Sequence, residues 1–147
     1  MKLLSALVLL AVPAFAEEPG AAPDVIKYRQ SVMKALGGHL RALGPLANKK
    51  VAFPGHAELH ARAVAELAHL LGDLFPAGSG PAASPQTDAK EEIWKEPKKF
   101  AGAVAEMQEK ADALARAATG DSAGLKAALE AAGEGCNTCH KPFRKKD

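Results

Sequence analysis

A chain of 147 residues is long enough for one domain of ordinary size and too short for two. Charge is nearly balanced, 19 Lys+Arg against 17 Asp+Glu, so bulk electrostatics favour neither a nucleic acid nor a membrane surface as partner. Two cysteines exclude a disulfide framework and an all-cysteine metal cluster. Aromatic residues at 5%, sparse β-branched residues and abundant Ala and Leu argue for helices and against a sandwich, barrel or Rossmann-type sheet.

Residues 1–16, MKLLSALVLLAVPAFA, combine Lys2, an apolar run from Leu3 to Val12, and small residues at Ala14 and Ala16 before Glu17. That is the pattern of a secretory signal peptide, and the run falls short of the ~20 apolar residues that span a bilayer. The expectation is cleavage after Ala16, export to the periplasm with no remaining membrane anchor, and a single domain over residues 17–147. Its two cysteines would then meet an oxidising compartment.

Four helical segments follow in chain order, each bounded by Gly or Pro. The first starts behind Pro23 with Asp24 as N-cap, carries Val25, Val32, Met33, Leu36, Leu40 and Leu43, and is expected to stop at Gly44-Pro45. The second follows Pro54-Gly55 with Leu59, Ala63, Leu67, Leu70, Leu71 and Leu74 as its apolar set. A Pro, Gly and Ser-rich loop spans Ala77 to Gln86. The third runs from about Lys95 to Ala118, with Phe100, Val104, Met107, Ala111 and Leu114 on one face and Pro97 near its start. The fourth begins at Asp121 and carries Leu125, Leu129, Ala132, Cys136, Cys139, His140 and Phe143. Helices that are apolar on one stripe must bury those stripes against one another. The expected fold is therefore all-α, an antiparallel four-helix bundle.

The chemistry lies in Cys136-Asn137-Thr138-Cys139-His140. On a helix the two thiols and the imidazole share one face, and that face continues the apolar stripe into the bundle. C-x-x-C-H is the attachment pattern of c-type haem, with two thiols for the vinyl groups and the histidine for the iron. A zinc site would need further ligands at metal spacing, and a thioredoxin-like pair would need a strand before it. A plain disulfide would leave the histidine without a role.

With this motif close to the C-terminus of the fourth helix, the sequence resembles the cytochrome c′ family of class II c-type cytochromes. The marks of the resemblance are Lys27-Tyr28-Arg29-Gln30, Phe75-Pro76 with its Gly-rich loop, Ile93-Trp94, and the segment from Cys136 to Arg144. The resemblance implies one haem c held through Cys136 and Cys139, with His140 as proximal iron ligand and Met33 on the distal side. In some relatives this methionine binds the iron and makes an electron carrier. In others the sixth position stays open to small gases such as NO or CO. A thioether is a soft donor suited to haem iron, yet most methionines on a helical stripe are core filler.

The resemblance also sets Arg29 and Gln30 near the haem propionates, Asp88 at the haem edge and Arg144 on the proximal side. It implies redox protein partners, pairing of bundles through the first two helices, and no enzymatic role. Pro142 departs from the family pattern and is expected to bend or end the helix near residue 141. His56 and His60, four residues apart, could hold a metal, but without a completing carboxylate they read as a solvated pair, and His39 and His69 read the same way. Tyr28 and Trp94 read as packing at the bundle edge.

Overall fold

The computed structural model describes residues 20–84 and 86–145, so the expected signal peptide lies outside the described residues. It contains α1 (Ala22–Ala47), α2 (His56–His69), a short α3 (Glu92–Lys95), α4 (Pro97–Ala117) and α5 (Ser122–Phe143). The four long helices pack in a closed ring, α1 on α2, α2 on α4, α4 on α5 and α5 on α1. Neighbours run antiparallel, so the chain is the four-helix bundle its sequence calls for.

The first helix outruns its expected stop. Pro45 removes one N–H from the ladder, but Leu43 and Ala47 on either side are fully or almost fully buried, and that burial outweighs one lost hydrogen bond. The helix ends instead at Asn48, whose backbone and side-chain amides both donate to the Gly44 carbonyl, at 3.1 and 2.9 Å. Lys49 then takes a left-handed φ of 55°. A second proline behaves alike. Pro142 stands in the last turn of α5, which ends at the buried Phe143, two residues past the expected position, and the Arg144 amide still donates to the His140 carbonyl.

The buried face of α2 also differs from the leucine pattern. Ala61, Val64, Ala65 and Ala68 point inward, while Leu59 is 54% exposed and Leu70 39% exposed. Small side chains at the contact let α2 lie close to both neighbours, and Leu59 and Leu70 turn outward, while Leu67 packs against the core and Leu71 and Leu74, just past the helix, are buried as expected. On α1 the buried stripe includes Ile26, with Val25 half-buried beside it. The α5 stripe and its Asp121 cap form as expected, the Asp121 carboxylate accepting from the Gly124 amide at 2.7 Å.

Between α2 and α4 the chain crosses the open end of the bundle. Trp94 there is half-buried, and its Nε1 donates to the Phe75 and Pro76 carbonyls at 3.2 and 3.1 Å. Its ring lies so near Gly80 that a Cβ at that position would come within 3.1 Å of it. The end of this crossing pairs with the chain after α5 through an antiparallel bridge, Ala89 with Arg144. The Lys90 amide donates to the Phe143 carbonyl at 2.9 Å, and the Lys145 amide to the Asp88 carbonyl at 2.7 Å.

Gly135 on α5 is buried against α4, where an added Cβ would stand 3.1 Å from both Met107 Sδ and Lys110 Cδ. A Gly135→Val substitution is therefore expected to destabilise the protein by about 1–3 kcal/mol, read as a lowered midpoint in chemical denaturation.

Candidate haem site

A cavity of about 460 Å³ opens between α1, α4, α5 and the crossing segment. From α5 come Cys136, Cys139, His140 and Phe143; from α1, Arg29, Gln30, Met33, Leu36 and Leu40. The structure thus brings the cysteine–histidine motif and Met33, about a hundred positions apart in sequence, onto the walls of one space. Both cysteines are free and half-buried. Burial pushes the Cys136 thiol up, and burial with the neighbouring Cys136 pushes Cys139 up to about 11. Burial, then the Arg144 charge, pushes His140 below its usual value. At neutral pH the motif therefore presents two protonated thiols and an imidazole with a free lone pair.

The far wall is aromatic. Phe75 packs edge-on to Phe100 at 4.9 Å between centroids, and Phe100 edge-on to Phe143 at 5.2 Å. Met107 is buried beside them, its sulfur 3.9 Å from Cys136 Sγ. In the sequence Met107 and Phe100 read only as core stripe; their place in the cavity wall depends on α4 packing against α5, which no local pattern announces.

Arg29 is the unusual member. It is only 3% exposed. Its Nη1 donates to the Leu74 carbonyl at 3.2 Å and Ser79 Oγ at 3.0 Å. Its Nη2 donates to the Ser79 carbonyl at 3.0 Å and Thr87 Oγ1 at 2.9 Å, and the guanidinium lies 4.6 Å over the Phe75 ring. Burial pushes its pKa down, but a guanidinium stays protonated. The residue thus places a fixed positive charge at the cavity edge while tying α1 to the crossing segment.

Gln30 and Asp88 sit at the rim. Gln30 Nε2 donates to the Gln86 carbonyl at 3.0 Å, and Asp88 pairs with Arg144 at 3.6 Å. Tyr28 is 58% exposed and does not line the cavity, so it is not the edge-packing residue expected, and Trp94 stands outside it as well. The other histidines separate into two groups. His69 meets Asp112 at 3.1 Å on the surface. His60 is half-buried against His39, and burial with the nearby His39 and His56 rings lowers its pKa, so His60 departs from the solvated pair expected, while His56 is exposed.

The donor set fits haem c: two adjacent thiols, a neutral imidazole, apolar walls and a cavity in the size range of cofactor sites. Comparison with known proteins agrees, for a family model described as Cytochrome C′ matches residues 24–144. The chain belongs to the cytochrome c′ family. It is 36% identical over 145 residues to cytochrome c′ of Rhodospirillum rubrum, covering 98% of this chain and 97% of that one. It superposes on the crystal structure of cytochrome c′ from Rubrivivax gelatinosus with a TM-score of 0.77 at 29% identity, covering 85% of this chain and 98% of that one. A ferrous variant of cytochrome c prime from Alcaligenes xylosoxidans with bound NO is similar at a TM-score of 0.77 and 26% identity, over 91% of this chain and all of that one. As a member of the cytochrome c′ family the chain carries one haem c, attached through Cys136 and Cys139.

Replacing Arg29 with Met strips Ser79, Thr87 and two carbonyls of a charged donor. The expected loss is about 2–4 kcal/mol in chemical denaturation, with faster amide exchange across residues 74–87. Arg29→Lys should recover only part of it, because an ammonium cannot reproduce the planar fork.

Proposed function

We propose that this protein is an exported, periplasmic electron carrier, with residues 1–16 as its signal peptide, residues 17–147 as its working domain, His140 as proximal iron ligand and Met33 as distal ligand. One observation carries the reading: Met33 from α1 and the Cys136–His140 motif from α5 line the same cavity. When bound, haem c supplies a one-electron ferric–ferrous couple. Everything else falls to the chain. His140 stays neutral through burial and so offers a lone pair. Met33 offers a soft, uncharged sulfur, which favours the ferrous state and raises the potential. The phenylalanine wall excludes water. Arg29 holds a positive charge at the cavity edge and, with both Nη atoms already bonded to Leu74, Ser79 and Thr87, would act on a propionate through its charge rather than its hydrogen-bonding fork. Gln30, Asp88 and Arg144 form the rim at which redox partner proteins would meet the site. Electron transfer rather than substrate turnover is the role this arrangement supports.

A second reading rests on the similar Alcaligenes xylosoxidans protein with bound NO. Here Met33 would cover an open position, and the protein would bind NO or CO. The half-buried Met33 side chain is long and unbranched enough for either role. Pairing into a homodimer through α1 and α2 accords with Leu59 and Leu70 on the outer face of α2, 54% and 39% exposed. Leu59→Lys is then expected to shift the holoprotein from dimer to monomer in sedimentation.

Optical spectra of the ferric and ferrous holoprotein, with and without CO, test the distal assignment. The expected result is a far-red sulfur-to-iron band and no response to CO, with Met33→Leu losing the band and gaining CO binding. A high-spin ferric spectrum and ready CO binding in the unaltered protein would overturn methionine ligation and establish the gas-binding reading.

A further inference from the structure

Away from the haem cavity, α1 and α2 set three imidazoles together. His39 Nδ1 and His60 Nδ1 lie 2.8 Å apart, their rings tilted by 55° with centroids 5.1 Å apart. His56, one turn before His60, has its ring centroid 6.4 Å from that of His60. Its exposed ring stacks on Phe53 at 5.1 Å. We infer that His39 and His60 form a binding site for a divalent late first-row metal ion of the zinc, nickel or copper class, independent of the haem.

The argument is stereochemical. Two neutral imidazoles can approach nitrogen to nitrogen only if one donates its Nδ1 proton to the lone pair of the other. Both Nδ1 atoms are therefore already directed at the space between them. A tetrahedral zinc ion with bonds of about 2.0–2.1 Å sets two nitrogens about 3.3–3.4 Å apart. An opening of roughly half an ångström therefore converts the hydrogen-bonded pair into a chelate. The proton on the donor Nδ1 transfers through water to its own Nε2, so two neutral rings take up the ion with no net proton release. Imidazole nitrogen suits precisely this group of metals, whereas magnesium and calcium prefer oxygen.

Among the described residues no three His, Cys, Asp or Glu side chains converge as a ready-made site. The ion accordingly takes two protein nitrogens and fills its other positions with water. His56 stands on the same side of α2 as His60, at the helical spacing that allows it to swing in as a third ligand. Affinity follows from the fixed element spacing: helices α1 and α2 hold His39 and His60 together before any ion arrives, so little side-chain ordering is left to accomplish on binding.

Calorimetric titration of the chelator-treated holoprotein with zinc chloride at pH 7.5 tests the site. The expected result is one zinc per chain at micromolar Kd, at least tenfold weaker in His39→Gln and in His60→Gln, and unchanged in His69→Gln, which alters the separate His69–Asp112 pair. His56→Gln is expected to weaken binding by a smaller factor. In the unaltered holoprotein, imidazole nitrogen resonances of His39 and His60 should move on zinc addition while those of His69 do not, which needs no variant to fold. Absence of binding below millimolar zinc, unchanged binding in both Gln variants, loss of binding in His69→Gln, or unmoved His39 and His60 resonances would each overturn the site.

Discussion

A guanidinium cannot be taken out of water without replacing the water, and the architecture around the site follows from how Arg29 meets that requirement. Its donors are satisfied by two carbonyls and two hydroxyls, all supplied by the long crossing between α2 and α4. A segment rich in Gly, Pro and Ser, with little apolar surface to hold it down, is thereby fixed over one end of the bundle. Lys145 extends the tie from the other side, its amide and ammonium donating to the Asp88 and Thr87 carbonyls at 2.7 and 3.0 Å. Hydrogen bonding to a buried cation thus gives the cavity a defined wall where helix packing alone would leave an open end.

The helices divide the remaining work by side-chain size. Alanine at the α2 contact brings the helices close on one side of the ring. Methionine, leucine and phenylalanine on α1, α4 and α5 line the cavity on the other, where α5 packs closely on α4 and more loosely on α1. The same bundle therefore holds a dense half, where Ala61, Val64 and Ala68 are fully buried, and an open half, where the motif of α5 faces Met33. Glycine appears at a close approach of α4 and α5, at Gly135 beside Met107, one residue before the first thiol.

Much of this was legible in the sequence because the signals are local. Helical periodicity, the Asp121 cap and the Cys136–His140 spacing each lie within a few residues, and the fold, the four long helices and the cofactor follow from them, whereas the single turn of α3 is too short to show a period. Pro45 and Pro142 mark their helix ends to within two residues: each removes a single helical hydrogen bond, and the short run beyond it is decided by burial of Ala47 and Phe143, which is a tertiary matter. Leu67, Leu71 and Leu74 mark the core side of the second segment, but Leu59 and Leu70 do not, because alanines occur on every side of α2 and carry much of its contact. Met107 in the cavity wall and His39 against His60 depend on which helices are neighbours. Arg29 could be placed near the site from the family pattern, but its three partner residues in the crossing segment carry no signal around residue 29.

The cavity bears on how the chain reaches its native state. Its walls are mostly apolar, but Gln30 and Asp88 stand at an open rim, so water can occupy the space before the haem does. Attachment would turn that wetted lining into packed interior, so the haem contributes to the stability of the bundle as well as to its chemistry.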